Sequence, residues 1–249
     1  MILVLPAFNE APNLPPLLDA VASVAAQETG HPLQVLVVDD GSKDATAQVS
    51  KQPRSVPVEV LAHPRNLGLA AAFRTGLLAA IERAGDDDVV VVMDADNSHR
   101  PEQIGELIAA LDRGADVAIA SRYRPGAQIR GVPQSRQLMS TGMSWLFRLV
   151  NPISGVRDYS CGYRAYRASL LKAAYRAQGE RMFAQEGFAC MVAMLLRLQE
   201  QGARFVEVPL DLRYDRKAGA SKMKVGATVA RTLLLLGRER LRHLPGLGR

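Results

Sequence analysis

Two aspartates separated by one residue, Asp94 and Asp96, form the most chemically suggestive short motif in the chain. They directly follow the apolar run Val89–Met93, which has the composition of a buried strand. Two carboxylates held side by side repel each other unless a cation lies near them. Hard divalent ions prefer oxygen ligands and also bind diphosphate oxygens. The motif therefore predicts a Mg²⁺ or Mn²⁺ site, although the same acidic loop could simply cap a helix that begins near Pro101.

A second acidic cluster, Asp39-Asp40-Gly41-Ser42, has the composition of a tight turn that leads into a helix. Ser42 or Asp44 has the right side chain to cap that helix. Asp39 could instead accept hydrogen bonds from a base or a ribose. The residues alone leave both interpretations open.

Short apolar runs and amphipathic stretches alternate in the first half of the chain. The runs lack a polar alternation, which is typical of strands buried on both faces of a parallel sheet. The alternation predicts a doubly wound open sheet, in which ligands bind beyond the carboxyl ends of the strands. The predicted strands are Ile2–Leu5, Leu33–Val38, Val56–Leu61, Val89–Met93 and Val117–Ala120, and the predicted helices are Asn13–Glu28, Gly68–Ala84 and Pro101–Arg113.

The second half is less regular. We expect a catalytic domain over residues 1–225, followed by a basic amphipathic helix and tail over residues 226–249. The segment 227–249 contains five arginines and one glutamate, which suits a membrane surface or a contact with the domain itself. The pattern predicts helices at Ser135–Val150, Glu186–Gln201 and Thr228–His243, strands at Gly162–Tyr166 and Arg204–Val208, and a basic loop at Asp215–Lys224.

The formal net charge of +6 is unevenly distributed over the 249 residues. Residues 1–124 contain 10 basic and 17 acidic side chains, whereas residues 125–249 contain 21 basic and 8 acidic ones. A basic half favours nucleic acid, a membrane surface or phosphorylated substrates as partners. No nucleic-acid-binding module is recognisable, so we expect only weak, non-specific binding to nucleic acid.

Several classes of protein are disfavoured by features that the sequence lacks. Cys161 and Cys190 are its only cysteines, so neither a disulfide scaffold nor a Cys-x-x-Cys zinc site is expected. The start of the chain does not resemble a signal peptide, and no uncharged apolar run reaches the roughly 18 residues of a membrane span. P-loop, dinucleotide-binding and Gly-x-Ser-x-Gly motifs are also missing.

Motifs in a fixed order identify a family resemblance. Four motifs resemble those of glycosyltransferase family 2, whose members are inverting enzymes with the GT-A fold. They are Leu5-Pro6-Ala7-Phe8-Asn9-Glu10, Val38-Asp39-Asp40-Gly41-Ser42, Arg65-Asn66-Leu67-Gly68 and Met93-Asp94-Ala95-Asp96. Further positions resemble the dolichol- and polyprenol-phosphate mannosyltransferases of that family. They are Ser121-Arg122-Tyr123, Arg136, Ser140, residues 158–166, Val208-Pro209 and residues 215–222. The resemblance covers nearly the whole chain. It implies an α/β, Rossmann-like GT-A fold: an open, mostly parallel sheet flanked by helices, with a C-terminal amphipathic helix.

The resemblance also implies roles for individual residues. Metal binding falls to Asp94, Asp96 and Ser98. Asp96, Arg122 and Asp158 are the expected catalytic residues. Binding of the nucleotide sugar falls to Pro6, Ala7, Phe8, Glu10, Asp39, His63, Arg65, Asp94 and Ala95. Binding of the acceptor phosphate falls to Arg122, Arg136, Ser140, Arg216 and Lys222.

The expected reaction transfers a hexose to polyprenyl phosphate, with mannose from GDP-mannose as the favoured donor. A phosphate is already anionic at neutral pH, so it needs charge compensation and alignment rather than a strong base. Asp158 could contact the sugar or pair with Arg157 or Arg164. Glu186 could belong to the pocket or to the first turn of a helix.

Three alternatives remain open at this stage. The enzyme could use another donor such as UDP-glucose, or a hydroxyl acceptor with Asp158 or Glu186 as the general base. The chain could also be a non-catalytic subunit that binds a nucleotide or a lipid. In the favoured interpretation the protein is cytoplasmic and associates peripherally with the cytoplasmic face of the membrane, with or without a membrane-protein partner.

Overall fold

The computed structural model describes residues 1–27, 32–183, 185, 187 and 189–219. Within these residues the strands are β1 (Ile2–Ala7), β2 (Gln34–Asp39), β3 (Val58–Ala62), β4 (Val89–Val92), β5 (Val117–Ser121), β6 (Gln128–Arg130), β7 (Arg164–Arg167), β8 (Phe205–Pro209) and β9 (Asp211–Arg213). The α-helices are α1 (Leu14–Gln27), α2 (Thr46–Ser50), α3 (Leu69–Arg83), α4 (Ile104–Asp112), α5 (Gln134–Val150), α6 (Ala168–Gln178) and α7 (Ala189–Gln199). Three short 3₁₀ turns cover Pro101–Gln103, Gly179–Phe183 and Tyr214–Arg216.

Seven strands form one sheet in the order β3-β2-β1-β4-β7-β5-β8. All neighbours in the sheet are parallel except at β7, which runs antiparallel to both β4 and β5. The expected open, mostly parallel sheet flanked by helices is thus confirmed. The predicted helix Thr228–His243 and the predicted boundary at residue 226 lie outside the described residues.

The carboxyl ends of β1, β2, β3 and β4 are adjacent, as expected for parallel neighbours. Ala7 pairs with Asp39, and Asp39 pairs with Ala62. The backbone N–H of Met93 donates to the carbonyl of Val4 at 3.1 Å, which fixes β4 beside β1. The polar residues that follow these strands therefore gather along one edge of the sheet.

β6 and β9 form a separate two-stranded parallel sheet, and Leu212 of β9 also bridges to His99 beyond β4. This small sheet places the segment that follows β9 directly over the acidic edge. No helix among the described residues is long and apolar enough to cross a membrane.

Arg164 is a fully buried cation in the middle of the fold, on β7. Its guanidinium donates to the carbonyl oxygens of Met191 on α7, at 2.7 Å, and of Tyr159, at 2.8 Å. Backbone carbonyls thus accept hydrogen bonds from both terminal nitrogens of this buried cation. Arg164 thereby ties α7 to the loop before β7, which carries residues of the site described next.

Candidate active site

The Asp94–Asp96 motif leaves β4 and turns sharply at Asn97, whose φ of 61° lies in the left-handed region. Ser98 donates to Asp96 Oδ1 through its backbone N–H at 3.1 Å and through its hydroxyl at 2.5 Å. Gly162 faces the other aspartate, and a Cβ there would lie 3.1 Å from Asp94 Oδ1. The loop therefore presents two carboxylates and a hydroxyl, and a side chain at position 162 would crowd Asp94.

The two carboxylates differ in their electrostatic surroundings. Burial, together with the nearby carboxylates of Asp96 and Glu10, raises the pKa of Asp94. Burial alone would also raise the pKa of Asp96, but the ammonium of Lys217 and the hydrogen bonds to Asp96 lower it below its usual value. Negative charge is thus concentrated at this point and is only partly compensated by the protein.

Lys217 supplies that partial compensation. Its Nζ lies 2.5 Å from Asp96 Oδ2, and both side chains are largely buried. Burial alone would lower the Lys217 pKa, but Asp96 and then Glu10 raise it above its usual value. The lysine is therefore charged at neutral pH.

Arg122 and Asp158 form a second ion pair beyond β5. Asp158 is completely buried and receives two side-chain hydrogen bonds from Arg122, Nε at 2.8 Å and Nη2 at 2.6 Å. The backbone N–H groups of Arg122 and Cys161 also donate to it. Burial alone would raise the Asp158 pKa, but Arg122 lowers it. The pairing with Arg157 or Arg164 that the sequence suggested is wrong, because Arg122 reaches the carboxylate bidentately.

Arg136 and Ser140 lie on α5 and face the same region. Arg136 donates to the Tyr214 hydroxyl at 2.8 Å, and its guanidinium carbon lies 5.8 Å from the centre of that ring. The Ser140 hydroxyl lies 3.0 Å from the Tyr123 hydroxyl. Two tyrosines thus hold the α5 side chains in place.

One cavity of about 460 Å³ joins these groups. Its polar lining includes Asp94, Asp96, Ser98, Arg122, Arg136, Ser140, Tyr214 and Lys217. Its apolar lining includes Ile129, Val132, Met139, Met143, Phe147, Val192, Leu210 and Leu212. Cys161 also lines it, and burial raises the pKa of that thiol to about 12, so the sulfur stays protonated.

The residues predicted to bind the nucleotide sugar lie at or just after the ends of β1, β2, β3 and β4. Of these residues, Asp94 alone belongs to the lining of this cavity. Asp39 is buried and accepts a hydrogen bond from the Ser42 N–H at 3.0 Å. Its neighbour Asp40 accepts from Leu67 N–H and Gly68 N–H, each at 2.8 Å. Asp40 therefore fixes the loop after β3, whereas the Asp39 carboxylate is bound to the turn that follows β2.

His63 is held inside the fold by both ring nitrogens, with Asp40 Oδ1 at 2.8 Å and Thr75 Oγ1 at 3.0 Å. Arg65 is exposed on the same loop. A hydrogen bond between a His63 ring nitrogen and a nucleotide would require one of these two hydrogen bonds to break. The structure thus favours a bracing role for His63 over the predicted contact.

Glu10 and Asn13 connect the nucleotide edge to the acidic motif. Asn13 Nδ2 donates to Glu10 Oε2 at 2.6 Å, and its amide exchanges hydrogen bonds with the backbone of Ala218 at 2.8 and 3.1 Å. The segment that carries Lys217 is thereby fastened to the start of α1.

Three of the five predicted acceptor-phosphate residues, Arg122, Arg136 and Ser140, line the cavity. Arg216 is exposed and is not part of that lining. Lys222 and Glu186 lie outside the described residues. Sequence reasoning assigned no role to Lys217, although it belongs to the basic segment that the resemblance singled out.

The donor set at the acidic motif fits a hard divalent cation. Two carboxylates and the Ser98 hydroxyl supply oxygen ligands only, and a protein cation already lies against Asp96. The described residues hold no cluster of three or more His, Cys, Asp or Glu side chains arranged for a metal. A bound ion would therefore need ligands beyond the carboxylates, and diphosphate oxygens are suitable ones.

Comparisons with known proteins show similarity to glycosyltransferases. The sequence profile of glycosyl transferase family 2 matches residues 2–174. The polyprenol monophosphomannose synthase of Mycolicibacterium smegmatis is 33% identical over 225 residues, which is 89% of this chain and 80% of that protein. The undecaprenyl-phosphate mannosyltransferase of Micrococcus luteus is 35% identical over 228 residues, which is 91% of this chain and 88% of that one.

A solved structure shows the same fold at lower identity. Glucosyl-3-phosphoglycerate synthase from Mycobacterium tuberculosis, in complex with Mn²⁺, UDP and its product, superposes with a TM-score of 0.63 at 18% identity. The match covers 96% of this chain and 78% of that one. A further structure of that enzyme holds Mg²⁺ and UDP. With the profile spanning most of the chain and two relatives above 30% identity, this protein belongs to glycosyl transferase family 2.

Proposed function

We propose that this glycosyltransferase moves mannose from a nucleotide sugar, with GDP-mannose as the favoured donor, to a polyprenyl phosphate. The observation that most directly supports this proposal is the cavity lined by Asp94, Asp96, Arg122 and Arg136. The same cavity also has an apolar lining. The names of the Mycolicibacterium and Micrococcus relatives support the same substrate class.

The polar and the apolar lining of the cavity suit the two parts of such an acceptor. Guanidinium groups match phosphate oxygens in charge and in hydrogen-bond geometry. The apolar lining contains Met139, Met143 and Phe147, side chains that bury hydrocarbon without needing polar partners. A small, fully polar acceptor would leave this apolar lining exposed to water.

In the proposed reaction a phosphate oxygen of the acceptor attacks the anomeric carbon of the sugar. The bond from that carbon to the nucleotide diphosphate breaks, the diphosphate leaves with the electron pair, and the configuration inverts. Arg122 and Arg136 compensate and align the attacking phosphate. Asp94, Asp96 and Ser98 would hold Mg²⁺ or Mn²⁺, whose charge stabilises the leaving diphosphate.

The geometry favours a phosphate acceptor over a hydroxyl acceptor. A hydroxyl would need a general base, and Asp158 was one candidate. Both of its oxygens are already occupied by Arg122, and its pKa is lowered, which makes it a weak base. Its contacts support a positioning role, in which it holds Arg122 towards the cavity.

We also propose that the protein works as a peripheral enzyme on the cytoplasmic face of a membrane. One face of α5 exposes Leu138, Trp145 and Leu149, and Arg148 stacks over Trp145 at 4.8 Å from the ring centre. Exposed aromatic and aliphatic side chains with a flanking cation suit a lipid–water interface. The same helix carries Arg136 and Ser140 on its opposite side, so α5 lies between this exposed face and the cavity.

A transfer assay tests the proposal. Radiolabelled GDP-mannose, UDP-glucose and UDP-N-acetylglucosamine are offered separately with Mg²⁺ and a short polyprenyl phosphate, and lipid-extractable label is counted. We expect label from GDP-mannose, and its loss with EDTA or in Asp96→Asn.

Polyprenol of the same length, without the phosphate, is the matched control acceptor and should receive no label. Label on polyprenol would support a hydroxyl acceptor instead. Label from a UDP-sugar alone would show that the proposed donor is wrong, while the proposed acceptor class would still hold. Transfer at an unchanged rate in EDTA would contradict the metal role.

A further inference from the structure

Residues 214–219 form a segment, here called the strap, that crosses the site from the loop after β4 to the start of α1. Before the strap, the Arg213 N–H donates to the carbonyl of Ser98 at 2.8 Å. Near its other end, Ala218 is bound to Asn13 by two hydrogen bonds. Between these anchors, Lys217 extends into the cavity and reaches Asp96.

Lys217 occupies the one oxygen of Asp96 that the loop leaves open. Asp96 Oδ1 accepts two hydrogen bonds from Ser98, whereas Oδ2 accepts from Lys217 Nζ at 2.5 Å. Asp94 and Glu10 add two further carboxylates near this ammonium. The lysine is thus the internal counter-charge of the acidic cluster.

A divalent ion and this ammonium compete for the same place. Mg²⁺ lies about 2.1 Å from a carboxylate oxygen, so an ammonium 2.5 Å from that oxygen would be held only a few ångströms from a double positive charge. The repulsion is strong in a site that water reaches poorly. A metal–diphosphate that bound through Asp96 Oδ2 would therefore displace the Lys217 ammonium from that oxygen.

The groups next to a displaced Lys217 side chain are Tyr214 and Arg136. Its Nζ already lies 5.6 Å from the centre of the Tyr214 ring, and the Arg136 guanidinium lies 5.8 Å from the same ring. A rotation of the side chain about its flexible stem moves the charge towards Arg136 without leaving the cavity. There it would meet an incoming anionic group.

We propose that Lys217 is a displaceable counter-cation: it neutralises Asp96 in the empty enzyme, yields this place to the metal-bound donor, and then contacts the acceptor phosphate. Donor binding thus precedes acceptor binding and strengthens it. The second half of this inference rests on the proposed phosphate acceptor, whereas the first half requires only that a metal binds at Asp96.

Direct metal binding tests the first half without any turnover. Mn²⁺ binding to the purified full-length protein is followed by electron paramagnetic resonance of the free ion. We expect Lys217→Met to bind Mn²⁺ at least about tenfold more tightly than the wild type, because one competing charge is removed. Lys217→Arg retains the charge and should stay close to the wild type.

Lys172→Met is the matched control, since Lys172 pairs with Asp86 on the surface at 2.7 Å, away from the cavity. It should leave Mn²⁺ affinity unchanged. Unchanged or weaker Mn²⁺ binding by Lys217→Met would overturn the counter-cation role, and circular dichroism checks that each variant is folded.

Steady-state kinetics test the second half. In Lys217→Met we expect the KM for polyprenyl phosphate to rise several-fold while the KM for the donor stays equal or falls, with partial rescue in Lys217→Arg. An unchanged KM for polyprenyl phosphate would show that Lys217 does not contact the acceptor phosphate and acts only at Asp96. If the wild type does not use polyprenyl phosphate at all, the proposed function fails, while the Mn²⁺ result still decides the counter-cation role.

Discussion

At the scale of single residues, Asp158 shows how a buried carboxylate positions a cation for chemistry. It has no exposed surface, and its oxygens are filled by Arg122 and by backbone N–H groups. Removing one partner of such a pair costs more than the pair itself contributes, because the other charge is left without compensation. The Arg122 side chain, about one-fifth exposed, keeps its outer edge on the cavity.

We predict that Asp158→Asn lowers the free energy of unfolding by about 3 kcal/mol, measured by urea denaturation at pH 7. Because the Asp158 pKa is lowered in the folded state, its charge stabilises the protein above the ordinary carboxyl pKa. This stabilisation is lost as the pH falls through the lowered folded value. The difference between wild type and variant should therefore be constant above about pH 5 and shrink below about pH 4.

Asp86→Asn is the control for this prediction, because Asp86 forms an exposed pair with Lys172. It should leave the free energy of unfolding nearly unchanged, because solvent screens an exposed pair. If Asp158→Asn were as stable as Asp86→Asn, the buried pair of Asp158 and Arg122 would not stabilise the fold and this prediction would be wrong.

At the scale of elements, α3 must approach the sheet closely enough to hold β1 and β2 in register. Gly76 makes that approach possible, because a Cβ there would lie 2.3 Å from Val4 Cγ1 and 3.0 Å from Val38 Cγ2. Val4 is also the residue whose carbonyl accepts from Met93, directly before the acidic motif. The packing of one helix therefore affects the position of Asp94.

Two glycine-to-alanine changes in helices are predicted to have opposite signs. Gly76→Ala should lower the free energy of unfolding by about 1–2 kcal/mol, because overpacking against stiff β-branched side chains exceeds the gain in helix propensity. Gly142→Ala on α5 meets no atom within 4 Å of the new Cβ and should raise stability by about 0.5–1 kcal/mol. Urea denaturation of both variants measures this, and a loss of equal size in both would show that the close packing at Gly76 is not the cause.

At the scale of the whole molecule, charge and exposed apolar surface are distributed unevenly. The acidic half of the sequence supplies the strands of the Asp94 edge, and the basic half supplies α5. Leu149, Leu138 and Trp145 are 81%, 75% and 64% exposed on that helix, which carries arginines and no acidic residue. This distribution favours one orientation on an anionic surface, with α5 towards the lipid.

We predict that replacing Trp145 and Leu149 together by serine weakens sedimentation with vesicles of phosphatidylcholine and phosphatidylglycerol by at least about tenfold, since two large apolar side chains no longer enter the interface. Val206→Ser removes a partly exposed apolar side chain from β8 and should bind like the wild type. Equal binding by the double variant and the wild type would exclude α5 as the membrane-contacting face.

Much of the first half of the fold follows from local sequence patterns. Apolar runs without alternation, such as Val89–Met93, are typical of strands buried in the middle of a parallel sheet. The acidic motifs that follow these runs then lie together at the carboxyl ends of the strands. The five predicted strands of this half are present within about two residues of their predicted bounds. The short strands Gln128–Arg130 and Asp211–Arg213 were missed, because three half-exposed residues carry no periodic pattern.

The sequence by itself therefore determined the family, the sheet and the acidic pair, because these depend on residue type and on neighbours in the chain. Only the tertiary structure decided which charges meet. Arg122 and Asp158 are 36 residues apart, and Asp96 and Lys217 are 121 residues apart. A long polar side chain pairs with whatever the folded backbone brings within reach, and one-dimensional spacing contains no information on that distance.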